Sequence, residues 1–316
     1  MSDKKVNFCF EPFKGIHRDE TLYIIGNGPS LNETDLDLIC NSPSIAMNRI
    51  SMIYEKFYKW RPTYYLFCSS NILNPIWGEE WALSVINAVS ENKTTSFIDK
   101  RCLELLKKKG IKINKNINLI KNLSENKPNI YGDINPKSFS TNILNSIDKS
   151  GSTINVALQI AYYMEPREII FLGTDLGWQT NNGSKIDNNH FDKNYKAHIP
   201  DPIKVNLQMR NIHKLSRKIF NRDKPYINFY NASKKTKLDV YPIIDFNKYA
   251  TKGLIAEDLD KYNTAKNYWK NLKKGNKYLI KLRRIIFRFK EKFFKFIQKL
   301  KRFNINKFIK ILGIFF

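Results

Sequence analysis

The sequence predicts an α/β fold: a doubly wound, mostly parallel, Rossmann-like sheet with a lid insertion and a C-terminal amphipathic helical tail. Three observations predict it. Leu22 to Ile25 is a short apolar run that passes at once into Gly-Asn-Gly-Pro-Ser-Leu, the pattern of a buried strand, a tight turn and a helix start. Ser44 to Asn48 and Tyr64 to Cys68 are further apolar runs, each closing in small or polar residues, as buried parallel strands do. From Glu79 to Asn92, the residues Trp81, Val85, Ile86 and Val89 recur at helical spacing. Strands that alternate with helices in this way form βα units.

Taken in order, residues 1–20 lack a sustained period and read as a leader or an edge segment. The organised domain is expected over 21–268. The stretch from Asn114 to Lys149 is rich in Asn, Lys, Ser and Pro, and its weak periodicity suggests a lid or an insertion. Order returns at Ser152 to Met164, where Ile154, Ala157, Leu158, Ala161 and Tyr162 make an apolar helical face. Glu168 to Asp175 reads as another central strand, Ile203 to Phe220 as a helix, and Ile227 to Phe246 completes the body. There is no internal repeat.

At 316 residues and 42% hydrophobic content, the chain can bury one large core or two modest ones and is far from a disordered composition. The first twenty residues carry no apolar stretch with a small-residue cleavage site, so a cytoplasmic location is expected. Cys9, Cys40, Cys68 and Cys102 lie far apart with no CxxC pair, which argues against both a disulfide framework and a zinc site. The net charge of +25 is unevenly spread: from Lys270 onward there are 16 Lys and Arg against the single acid Glu291. The body is therefore only mildly basic, and nucleic acid is not the expected partner.

Several residues suit a ligand site. In Gly26-Asn27-Gly28-Pro29-Ser30, glycines after a strand leave backbone N–H groups and a helix start open to a phosphate. The pattern is neither GxGxxG nor a Walker sequence, and a plain strand-to-helix turn is the competing reading. Asn27 discriminates, because a side-chain amide at a strand's carboxyl edge reads a nucleotide or sugar. Asn48 and Ser69 end the next two strands on the same edge. Asp175 is a fourth member, able to hold a metal, orient a ligand or cap a turn. Ser152 and Thr153 open a helix as caps or as substrate ligands. Further on, His190, Tyr195 and His198 fall in a loop rich in Asn and Asp, within an expected lid at 179–202. An imidazole there takes a proton from a hydroxyl near neutral pH, and the spacing of the two histidines lacks a third zinc ligand. A solvated surface loop is the bland alternative.

The segments GNGPSLNETDLD, AMNRISMIYEKFYKWRPTYYLF, GSTINVALQIAYYMEPREIIFLGTD, HFDKNY and INFYNASKKTKLDVYPIIDF together resemble the 6-hydroxymethylpterin diphosphokinase-like family. That domain also occurs in flagellin-glycosylation accessory proteins and in capsule or lipopolysaccharide loci. The resemblance covers roughly Thr21 to Phe246. The same layout is similar to the bacterial sialyltransferases of glycosyltransferase family 42, which use CMP-linked nonulosonates and need no metal. That resemblance implies donor contacts at Asn27, Asn48, Ser152 and Thr153, a general base at His190 or His198, and a phosphate-binding tyrosine, for which Tyr195 is the candidate. The tyrosine expected after Gly-Thr-Asp is replaced by Gly177-Trp178. The function so implied is glycosyl transfer from a nucleotide-sugar donor to a cell-surface glycan acceptor, with no cofactor. The alternatives are pyrophosphoryl transfer from ATP, with Mg²⁺ held by acids such as Asp175, and a non-enzymatic accessory role in surface-polymer assembly.

The tail, 269–316, is a separate expectation. Phe289, Phe293, Phe296, Leu300 and Phe303 recur at intervals of 4, 3, 4 and 3 among Lys and Arg, an amphipathic basic stripe. Charge interrupts every apolar run, so the segment suits an anionic membrane surface over 280–316 rather than a span. An RNA-binding arm and a helix packing a homo-oligomer are the competing readings. The expected address is peripheral, on the inner face of the cell membrane.

Overall fold

A computed structural model of the chain describes residues 10–68, 79–108, 110, 116–120, 122–124, 135–180, 186–195, 201–275, 285, 289, 292 and 293. The chain divides into two compact units, Met1–Ile130 with Ile134–Tyr268, and Tyr131–Asp133 with Trp269–Phe316.

The first unit is built on a parallel sheet. Its strands are β1 (Thr21–Ile25), β2 (Ser44–Met47), β3 (Tyr64–Phe67), β4 (Thr95–Asp99) and β5 (Ile117–Ile120), with β6 (Leu123–Ser124) and β7 (Ile147–Asp148) forming a separate small ladder, then β8 (Glu168–Leu172) and β9 (Asn228–Asn231). The helices are α1 (Glu79–Ser90), α2 (Lys100–Lys108), α3 (Thr153–Met164), α4 (Pro202–Asp223), α5 (Phe246–Lys252) and α6 (Leu259–Gly275), the last of which runs across the division between the units. The seven strands stand in the order β5-β4-β3-β2-β1-β8-β9, and every neighbouring pair is parallel.

β1, β2, β3 and β8 are near-continuously apolar because both faces of the sheet are covered. Side chains alternate between the faces: Tyr23 and Ile25 join one core with Leu36, Trp60, Trp81 and Val85. Leu22 and Ile24 join the other with Leu158, Ile160, Leu215 and Phe220. The doubly wound expectation is met. From β1 the chain winds outward through β2 to β5 and then returns to place β8 on the other side of β1. The crevice beyond the carboxyl ends of β1 and β8 is therefore the topological switch point, where open α/β sheets bind ligands.

Three local expectations change. The segment after β1 is a 3₁₀ turn over Pro29–Glu33 rather than the start of an α-helix. The Asn114 to Lys149 stretch is not wholly an insertion, because Ile117–Ile120 forms the fully buried edge strand β5. Asn118 interrupts its apolar run, which is why no strand pattern is legible there. Within residues 1–20, those from Phe10 onward are packed on the body: Phe10 stacks on Phe97 at 5.3 Å, and the Gly15 and His17 amides donate to the end of α3.

Candidate functional site

A cavity of about 270 Å³ opens at the switch point. Gly26, Asn27 and Gly28 line it from the β1 loop, Asn48 from the end of β2, Ser152 and Thr153 from the start of α3, Asp175 from the loop after β8, and His190 and Tyr195 from the segment 186–195. Nine sequence-predicted residues thus share one wall system. Pro29 and Ser30 lie just behind it, in the 3₁₀ turn. Ser69 and His198 lie outside the described residues.

The role expected of the glycine loop is corrected by its hydrogen bonds. The Gly26 amide donates to the Leu172 carbonyl and the Gly28 amide to that of Gly173, both at 2.8 Å. The Ser30 amide donates to Asp175 Oδ2 at 2.8 Å. The Gly26, Gly28 and Ser30 amides therefore bind the end of β8 and the loop after it instead of standing open as a phosphate cradle. A Cβ on Gly26 would overlap the Gly173 carbonyl, and one on Gly28 would overlap Asp175 Oδ2. These glycines are needed for the close approach of two loops, and Asp175 is the anion at the amino end of the turn. Of its three readings, capping is the one with a bond to show for it. Burial raises the Asp175 carboxyl above its ordinary value, and the Ser30 contacts oppose that shift.

Asn27 is held by a bond from Nδ2 to the Met47 carbonyl at 3.1 Å, while its buried Oδ1 has no partner among the described residues. Asn48 adopts a left-handed φ of 56°, a conformation asparagine tolerates better than most residues. Its Oδ1 accepts from Thr153 Oγ1 at 3.3 Å, so the ends of β2 and α3 meet over the cavity. Ser152 is the N-cap of α3, its hydroxyl accepting from the Ile154 amide at 3.3 Å. Left-handed backbone recurs around the rim at Ser150, Gly151, Leu176 and Gly177. Such residues concentrate where surrounding structure fixes a special geometry.

The segment 186–195 supplies a histidine whose orientation is set from three sides. His190 Nδ1 faces both carboxylate oxygens of Asp187, each at 3.0 Å. Its ring lies on that of Tyr195, with centroids 3.9 Å apart, and meets Trp178 edge-on at 5.2 Å. With Nδ1 committed to a carboxylate, Nε2 is the nitrogen left for chemistry. Arg49 braces the same segment, donating through Nη1 to the carbonyls of Asn194 and Tyr195 at 3.2 and 2.6 Å. Its guanidinium also packs against the Trp81 and Tyr195 rings. The segment 186–195 is pinned to the β1 loop by Phe191, whose amide donates to the Asn27 carbonyl at 3.0 Å. Burial pushes the Tyr195 phenol well up, so it is a neutral hydroxyl, in contact with the Asn48 side chain.

Sequence reasoning did not single out Asp187, Arg49, Lys149 or His213. Asp187 carried a signal, a carboxylate three residues before a histidine. Lys149 lines the cavity two residues ahead of the Gly-Ser-Thr motif. His213 also lines it, from the middle of α4, where a lone histidine on an apolar helical face has no motif around it. Among the described residues, no group of three His, Cys, Asp or Glu is placed to hold a metal ion. Among the described lining residues Asp175 is the one carboxylate, and its Oδ2 accepts from the Ser30 amide. No protein-family model and no curated protein matches the chain.

Proposed function

We propose that this protein is a glycosyltransferase that moves a sugar, of the CMP-linked nonulosonate class, onto a hydroxyl of a cell-surface glycan precursor. The observation that carries this reading is the His190–Asp187 pair standing in the same switch-point cavity as Asn27, Asn48, Ser152 and Thr153.

In the proposed reaction the acceptor hydroxyl oxygen attacks the anomeric carbon of the donor. The bond from that carbon to the phosphate oxygen breaks, and the nucleoside monophosphate leaves with the bonding pair. The hydroxyl proton passes to His190 Nε2, and Asp187 stabilises the imidazolium that forms. Asn27 and Asn48 offer the amide groups that orient a nucleotide or sugar. Lys149 and the amino end of α3 bring positive potential to the lining, which favours the phosphate as its charge develops. The cavity, about 270 Å³, lies just below the range of about 300–1,000 Å³ for small-molecule sites.

A membrane address fits an acceptor carried on lipid. Ile285, Phe289 and Phe293 are helical at intervals of four and are 56, 70 and 56% exposed. The rest of the expected stripe lies outside the described residues. No helix among the described residues is long and apolar enough to cross a membrane.

Thermal unfolding of the full chain with CMP, UDP, GDP and ATP, each with and without Mg²⁺, tests the reading. Stabilisation by CMP without metal is expected, by about 2.7 kcal/mol at a hundredfold excess over Kd. No shift with CMP overturns the donor assignment, and a Mg²⁺-dependent shift with ATP alone favours pyrophosphoryl transfer.

A further inference from the structure

His213 is fully buried, with 1% of its surface exposed, yet it lines the cavity. Phe171 and Tyr241 meet its ring edge-on at 5.3 and 5.5 Å. Nδ1 lies 3.1 Å from the Tyr241 hydroxyl, and that hydroxyl also reaches the His213 backbone carbonyl at 3.3 Å. Nε2 is buried and has no partner among the described residues.

The two contacts of Tyr241 fix the tautomer. A phenol has one proton; if it goes to the carbonyl, Nδ1 must carry its own proton and donate to the phenol oxygen. That arrangement makes two hydrogen bonds and leaves a lone pair on Nε2. The opposite tautomer makes one bond and buries an unpaired N–H, the costlier kind of orphan. Burial also drives the imidazole to a pKa of about 3, so the ring is neutral across the physiological range. The cavity thus holds two histidines of different character. His190 is paired with the Asp187 carboxylate; His213 is a fixed neutral acceptor.

We propose that His213 Nε2 is a ligand-reading atom, accepting a hydrogen bond from a sugar hydroxyl of the molecule bound in this cavity. A buried acceptor without a partner is rare unless something supplies the donor. A phosphate oxygen cannot, because it would set lone pair against lone pair. The phosphate is thus placed away from α4, and on this proposal a sugar hydroxyl supplies the donor. The shared chemistry is a hydroxyl of either the ribose or the transferred sugar. This inference rests on the nucleotide-sugar reading of the site.

The test is titration calorimetry of the full chain, wild type, His213→Phe and His213→Gln, with CMP and with CMP-N-acetylneuraminate. His213→Phe keeps the ring packing and removes the acceptor; His213→Gln returns an amide oxygen near the Nε2 position. Binding should weaken about threefold to tenfold in His213→Phe, the range of one hydrogen bond, and recover in His213→Gln. A loss with both ligands places the donor on the nucleoside, where an equal loss with UMP, which lacks the 4-amino group, assigns the ribose; a loss with the sugar nucleotide alone assigns the transferred sugar. Equal affinity of wild type and His213→Phe for both ligands overturns the inference and leaves the nucleotide reading standing. No binding to wild type removes that reading, and the inference with it. Nitrogen NMR of the ¹⁵N-histidine-labelled wild-type chain is independent of whether the variants fold. There the unprotonated Nε2 resonance of His213 should move on adding CMP-N-acetylneuraminate, and a resonance that stays in place also overturns the proposal.

Discussion

His190 lies parallel to Tyr195, the ring planes 1° apart, so the imidazole cannot turn without parting from an aromatic partner that is itself held by the backbone. Asp187 then decides which nitrogen faces the cavity. Asp187→Asn should lower kcat by about 10²–10⁴-fold with little change in KM for the donor, the range for loss of effective general-base catalysis. His190→Ala should fall at least as far. Steady-state kinetics with CMP-N-acetylneuraminate and a glycan acceptor provide the check, and unimpaired turnover in both variants removes this mechanism.

Arg49 should act on the lid without touching the reaction. It is a buried cation whose guanidinium is lowered from its ordinary value by desolvation, and its Nη1 donates to two lid carbonyls. Replacing it with Met strands those carbonyls, and a loss of about 1–3 kcal/mol is expected. Hydrogen exchange is the sharper measurement. The Phe191 amide, bonded to the Asn27 carbonyl, should lose protection in Arg49→Met by a larger factor than amides of β4, whereas uniform loss would mean general destabilisation.

Asp175 gives a pH signature. Its folded pKa is raised by burial above the ordinary value of 3.8, so the folded state binds the extra proton. The contribution is therefore fully present below pH 3.8 and lost as pH rises through the raised folded value. Asp175→Asn lacks this titration. The stability of wild type minus that of the variant should fall with rising pH above about 4 and then level off. Urea unfolding of both proteins between pH 4 and 8 measures the difference, and a difference that rises with pH contradicts the burial argument.

The tail prediction concerns Phe289 and Phe293, both exposed. Changing the pair to Gln in the full chain should reduce flotation with phosphatidylserine vesicles several-fold at low salt while leaving the thermal midpoint unchanged. Binding to neutral vesicles should be weak throughout, since each juxtamembrane Lys or Arg contributes about 1 kcal/mol only against anionic lipid.

The fold was legible wherever strands were apolar on both faces. β1, β2, β3 and β8 stood out for that reason. β4, Thr-Ser-Phe-Ile-Asp, and β5, Ile-Asn-Leu-Ile, did not, because a buried polar residue in a four- or five-residue strand removes the pattern. Asn27, Asn48, Ser152 and Thr153 were legible because each ends or opens an element at the carboxyl edge, and His190 because it falls close to a second histidine in a loop rich in Asn and Asp. Arg49 and His213 were not. Each sits inside a pattern that otherwise belongs to the core, and only folding shows that it faces a lid or a cavity.

The contact between Gly28 and Asp175 makes the loop self-sufficient. The protein carries its own counter-ion for the turn, so the β1 loop is complete before any ligand arrives. A molecule entering the cavity meets a finished wall and pays no ordering cost there, and whatever selectivity the site has must come from side chains such as Asn27 and His213 rather than from a loop that closes around phosphate.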